Sequence, residues 1–145
     1  MSDALYNTQI LRLAASTAHA ARLIDPHGTA TKVSPVCGSK VAADVDLDAA
    51  GAVARHGQDV RACALGQAAA ALVGATIIGH DRASLIAARA GIADWLAGLT
   101  DVAPDWPGMD VFAPARPHRA RHASILLPLD AAIAATDAAA LARAA

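Results

Sequence analysis

Two thiols are the residues of this chain best suited to chemistry, and both stand where the local pattern changes. Cys37 lies in "SPVCGSK" (34–40), a Pro–x–Cys–Gly turn directly ahead of an alternating stretch. Cys63 opens "CALGQAAAALVGATI" (63–77), where alternation gives way to helical spacing. A thiolate is a nucleophile in sulfur chemistry and a ligand for soft metals. A cysteine can also be no more than a small packed apolar residue, so for each position that reading stands beside the chemical one. A disulfide between the two under oxidation is a further alternative. Two cysteines in 145 residues make no disulfide framework, and the expectation is a cytoplasmic chain with reduced thiols.

The elements that must position these thiols can be read from periodicity. Residues 3–24 predict a helix, with Asp3 as its cap and Leu5, Ile10, Leu13 and Leu23 among its apolar positions, stopped by Asp25-Pro26-His27-Gly28. "KVAADVDL" (40–47) alternates, with Val41, Ala43, Val45 and Leu47 on one face, which predicts a half-buried antiparallel strand. "DAAG" (48–51) reads as a hairpin turn into a second strand near 52–56, and a further short strand falls around 30–34 or 59–61. From Cys63, Leu65, Ala69, Leu72, Val73 and Ile77 recur at helical spacing up to the break at Gly79-His80-Asp81. Asp81 is a cap for the next helix, which carries Leu85, Ile86, Ile92, Ala93 and Leu96 and stops at Gly98. Residues 100–118 hold Pro104, Pro107, Gly108, Pro114 and Pro117 and predict an irregular connection. A last helix is expected from near Pro128 through the alanine tail. Trp95 reads as core and Trp106 as a local anchor of the Pro-rich loop. Residues 1–145 thus read as a single α+β domain, a small antiparallel sheet of about three strands packed against helices.

Composition narrows the function. A net charge of −1 gives no electrostatic case for nucleic acid or an anionic membrane as partner. No apolar run approaches the roughly 20 residues of a bilayer span, and "MSDALYNTQI" lacks the basic-then-apolar order of a signal peptide. The 55% hydrophobic fraction rests heavily on alanine, which buries little area per residue.

Three stretches taken together resemble a known family. "SPVCGSKV" is similar to the Asn-Pro-x-Cys-Gly-Asp turn of the iron–sulfur cluster scaffold family of IscU, SufU and NifU N-terminal proteins. "RACALGQAAAALVG" resembles that family's Gly-Cys-x-x-x-x-Ala-Ser helix start, and "RARHASILLPLDA" its third motif, with His-Cys-Ser-Ile-Leu ahead of the last helix. Order and rough spacing agree over nearly the whole chain, and the long stretch from Cys63 to the third motif resembles the SufU branch. The chaperone-binding element of the IscU branch has "PHRARH" in its place, so no dedicated chaperone is implied.

The resemblance implies a SufE/IscU-like fold and a surface site where three cysteines and an aspartate bind zinc or a nascent iron–sulfur cluster. The same thiols accept sulfur from a cysteine desulfurase as a persulfide. Cys37 and Cys63 match two of the four ligands and are the implied persulfide acceptors. Ser39 stands at the aspartate, and the third cysteine falls on Ser124 or on Ala123, depending on which end of the motif is aligned. His122 is the candidate third metal ligand, since imidazole suits zinc and iron. Beside these readings, Ser39 can turn the chain and Ser124 can cap a helix through their hydroxyls. The run Arg116, His118, Arg119, Arg121 and His122 is a solvated face or a dock for an acidic partner.

The implied function is iron–sulfur biogenesis, scaffold-like or sulfur-accepting, with a cysteine desulfurase and other assembly proteins as partners. The chain would not be an enzyme in its own right. Alternatives are an adaptor or regulator that keeps the fold and docking surface without assembling clusters, and a SufE-like sulfur acceptor.

Overall fold

The computed structural model describes residues 5–16, 21–35 and 38–144. Helix α1 (Thr8–Ala15) precedes strands β1 (Gly28–Val33), β2 (Lys40–Leu47) and β3 (Val53–Arg61), which form one antiparallel sheet in the order β1–β2–β3. Helices α2 (Ala64–Thr76) and α3 (Arg82–Leu96) follow, then 3₁₀ turns at Met109–Ala115 and Arg119–Arg121, and the long helix α4 (His122–Ala144). This is the α+β architecture expected, and local chemistry sets most of its boundaries. Asp48 Oδ1 accepts from the N–H groups of Ala50 and Ala52 and closes the β2–β3 hairpin. Asp81 accepts from Ser84 N at 2.9 Å and starts α3, and Gly98 at φ +80° stops it.

The inner face of β2 presents Val41, Ala43, Val45 and Leu47, all buried, to the helices. Helix α4 lies along β1 and β2, and α2 packs on α4, α1 and β3. Ala131, Ala132, Ala135 and Ala139 of α4 are completely buried. A Cβ at Gly28 would lie 2.2 Å from Ala135 O and 2.4 Å from Ala139 N, so strand and helix backbones touch. The alanine tail is therefore a close-packing surface. Trp106, 4% exposed, donates from Nε1 to Leu72 O at 3.0 Å and stacks on His80 at 4.7 Å, anchoring the Pro-rich connection to α2.

Helix α4 begins six residues before Pro128, its expected start. The proline sits inside the helix and cannot supply the N–H that a regular helix brings to the Ser124 carbonyl. Burial of Ile125, Leu126 and Leu127 on the preceding turn outweighs that loss. The stretch Arg119–Ala144 is long and apolar enough to cross a membrane, but 56% of its apolar window is buried in this fold.

The largest departure from expectation is at the other face of the sheet. Of the helix predicted over 3–24, the described residues show α1 at Thr8–Ala15, capped by Asn7 Oδ1 accepting from Ile10 N at 3.0 Å, and no helix over 21–24; Asp3 lies outside the described residues. Residues 21–23 instead run as a strap over the outer face of β2. Asp44, fully buried, accepts from Arg22 Nε at 2.6 Å and Nη2 at 2.9 Å, Thr29 Oγ1 at 2.7 Å and Leu23 N at 3.0 Å. Gly57, cross-strand from Asp44, makes room: a Cβ there would lie 2.4 Å from Ala21 O. The expected half-exposed strand is thus buried on both faces at its centre. Burial alone would raise the Asp44 pKa, but hydrogen bonds from Arg22, Thr29 and Leu23 hold it below the usual value.

His56, on the inner face of β3, sits 3.9 Å from the Cβ position of Gly74 in α2, and burial pushes its pKa down to about 4. The folded state takes up that proton less readily than the unfolded chain, whose histidine titrates at 6.5. Stability is therefore full above pH 6.5 and falls by about 3 kcal/mol as the pH drops to 4. The Asp44 contribution holds until the pH falls below its ordinary 3.8. His56→Gln is expected to flatten the urea-midpoint profile between these two limits; an unchanged acid slope would refute this assignment.

Candidate functional site

Sheet register and helix packing bring four chain segments to one end of the molecule. The 34–39 turn is closed by Ser34 N donating to Ser39 O at 2.8 Å and Gly38 N donating to Ser34 O at 2.9 Å. Gly38 has φ +70°, a conformation that favours glycine. Cys37 lies outside the described residues. Lys40 pairs with Val33 on one side and Arg61 on the other, which sets this turn beside the end of β3. Two residues past Arg61, Cys63 is the N-cap of α2, in extended conformation with its carbonyl accepting from Gln67 N at 2.9 Å. It is a half-buried free thiol.

The first turn of α2 lies against the first turn of α4. A Cβ at Gly66 would be 3.5 Å from Ser124 O and 3.9 Å from Ser124 Cβ, and each is the third residue of its helix. These are ordinary contact distances, and what crowds the position is Ala62, whose Cβ would lie 2.7 Å from a Cβ at Gly66, just ahead of Cys63.

The remaining predicted residues are positioned as follows. His122, the first residue of α4, has Nε2 at 2.9 Å from Ala115 O and 3.1 Å from Arg116 O. Two carbonyl partners require a proton on Nε2, so in the neutral ring only Nδ1 carries a lone pair for a metal. Ser39 and Ser124 are 4% and 1% exposed. Ser124 lies inside α4, so it is not the helix cap that the sequence suggests. Ala123 beside it is half-buried. Among the described residues, no three of His, Cys, Asp and Glu gather as a metal site.

The basic run divides. Arg116 donates to Trp95 O, Thr100 O and Asp101 Oδ1 and lies over the Trp95 ring at 5.3 Å, so it stitches the connection to α3 and is no part of a solvated face. His118 and Arg119 are exposed and Arg121 is half-buried. The end of the molecule that carries Cys63 can therefore present thiol chemistry beside exposed cations, with fewer donors among the described residues than a tetrahedral metal site needs.

No protein-family model matches the chain, and no curated protein matches it. Solved structures do. The N-terminal part of a nitrogen-fixing NifU-like protein from Brucella abortus is 33% identical, with a TM-score of 0.88 and 96% of each chain covered. A proposed iron–sulfur cluster assembly scaffold protein for the SUF system from Fervidobacterium islandicum AW-1 is 17% identical with a TM-score of 0.82, covering 94% of this chain and 99% of its own. A hypothetical protein is 16% identical with a TM-score of 0.76, covering 88% of this chain and 96% of its own. The last two show the shared fold.

Proposed function

This chain belongs to the NifU-like N-terminal family, and we propose that it serves iron–sulfur cluster biogenesis by accepting sulfur, or iron and sulfur as cargo, on Cys37 and Cys63. The observation that carries the proposal is the position of Cys63: a half-buried thiol at the start of α2, the helix whose first turn packs beside Ser124 in the first turn of α4. The strand ends that flank Ser39 meet the chain at the same end.

The donor set favours sulfur over a resident metal. Two thiols can carry persulfide sulfur, whereas four-coordinate zinc or iron needs about four donors, and Ser39 and Ser124 supply none. The chemistry asks little of the fold. A thiolate attacks the outer sulfur of a donor persulfide, its new S–S bond forms as the donor's breaks, and the electron pair leaves on the donor thiolate. No outside oxidant is required. Cys37 and Cys63 are the accepting groups, and His122, through Nδ1, is the residue that could steady a metal ion passing between them.

Anaerobic incubation with a cysteine desulfurase and cysteine, followed by mass spectrometry, tests the reading. Wild-type protein is expected to gain sulfur atoms, and Cys37→Ser and Cys63→Ser are each expected to take up less. Wild type that gains no sulfur, and develops no visible absorption with iron and sulfide, sinks the proposal. The missing third thiol favours one second reading, an adaptor that binds the desulfurase without taking its product. Desulfurase binding that survives the Cys37→Ser/Cys63→Ser double substitution, with no sulfur on wild type, would establish it.

A further inference from the structure

We propose that the basic rim around the Cys63 end is a docking surface for an acidic segment of the sulfur-donating partner, an inference that rests on the function proposed above. Of the twelve lysines and arginines of this chain, five besides the loosely paired Arg61 are matched by ion pairs to aspartates, and cations without such a pair among the described residues also stand away from this end, at Arg12 and Arg143. Arg22, Arg55, Arg82, Arg89 and Arg116 each pair with an aspartate. Arg119 and Arg121, on the 3₁₀ turn that leads into α4, make no ion pair with a described residue, and neither does Lys40. Arg61 pairs, among the described residues, with Asp59 at 3.8 Å, and 78% of its side chain is exposed.

These residues share one place in the fold. Lys40 and Arg61 are cross-strand partners two residues before Cys63. Arg119 and Arg121 enter the helix whose first turn rests on Gly66. His118 beside them is exposed. The starts of α2 and α4 add their positive dipole ends. Asp46 and Asp48 lie toward the opposite end of β2; at the thiol's end Asp59 is the carboxylate beside Arg61, and Lys40, Arg61, Arg119 and Arg121 outnumber it. Such segregation steers an oppositely charged partner and orients it at contact. A carboxylate-bearing segment is the chemistry that matches three cations without an ion pair among the described residues, and the loosely paired Arg61, around an acceptor thiol.

The test measures binding of a cysteine desulfurase from the same genome by titration calorimetry, with sulfur uptake followed separately. Wild-type affinity is expected to fall as salt rises, and Arg119→Glu/Arg121→Glu to weaken it about tenfold or more. Arg55→Glu/Arg143→Glu, the same charge change at the hairpin end, is expected to leave it unchanged. Arg119→Lys/Arg121→Lys should keep most of the affinity. Equal weakening by both reversals, or none by either, overturns the rim. Binding that depends on Arg119 and Arg121 with no sulfur uptake overturns the sulfur reading and upholds the dock, while wild type that does not bind overturns both.

Discussion

Gly57→Ala is expected to lower stability by about 3 kcal/mol, because the added methyl lifts the strap that covers β2. The Cβ would lie 2.4 Å from Ala21 O and 2.9 Å from Leu23 N, both backbone atoms that cannot rotate away. Moving them breaks the Leu23 N–Asp44 hydrogen bond and pulls Arg22 off the same carboxylate. Asp44, with no solvent exposure, is then a buried charge with part of its compensation gone. In a chain of this size that corresponds to a fall in Tm of about 8 °C. Asp44→Ala should cost a similar amount by removing the carboxylate that gathers Arg22, Thr29 and Leu23. The double variant should cost clearly less than the sum, since both changes release one strap. Full additivity, or a Tm within a degree of wild type for Gly57→Ala, would refute the idea. Sulfur uptake by Cys63 at 25 °C should persist in the single variants, because the strap sits at mid-sheet and the thiol beyond the strand ends.

That strap is also where sequence reasoning reached its limit. Residues 21–24 continue a helical pattern, and nothing local says that Arg22 and Leu23 are recruited by a carboxylate twenty-two and twenty-one residues ahead. Alternation in 40–47 identified the strand and its inner face, but Asp44 reads as solvated until the strap covers it. Elements fixed by local chemistry were legible: the Asp48 turn, the Asp81 cap, the Gly98 stop and the helix opening at Cys63. Pro128 misplaced the start of α4 because its local cost is visible in sequence, whereas the burial that overrides it is tertiary. At the site, helical period placed Cys63 correctly. That its helix start packs beside the start of α4 shows only in Gly66 meeting Ser124 across two helices, a contact that no spacing announces.

The same contact decides between the two positions to which the third thiol could be restored. Ala123→Cys is expected to tighten zinc binding by about 100-fold or more, since adding one thiolate to a two-thiol site supplies a large share of the binding energy of a complete one. Ser124→Cys is expected to give no such gain. The Ser124 side chain is 1% exposed and its Cβ lies 3.9 Å from the Cβ position of Gly66, in the seam between α2 and α4. A thiol there would be sealed among packed helix starts, where low dielectric disfavours the thiolate that a metal needs. The larger sulfur would also press on the packed seam between α2 and α4, costing about 1–3 kcal/mol. Ala123, one residue earlier and about 100° round the helix, is half-buried, so a thiol there has room to ionise and to reach a ligand. Competition against a chelator, with thermal melts of each variant, separates the cases. A gain in Ser124→Cys equal to that in Ala123→Cys would show that the seam opens. A gain in neither would mean that Cys37 and Cys63 do not converge on the start of α4.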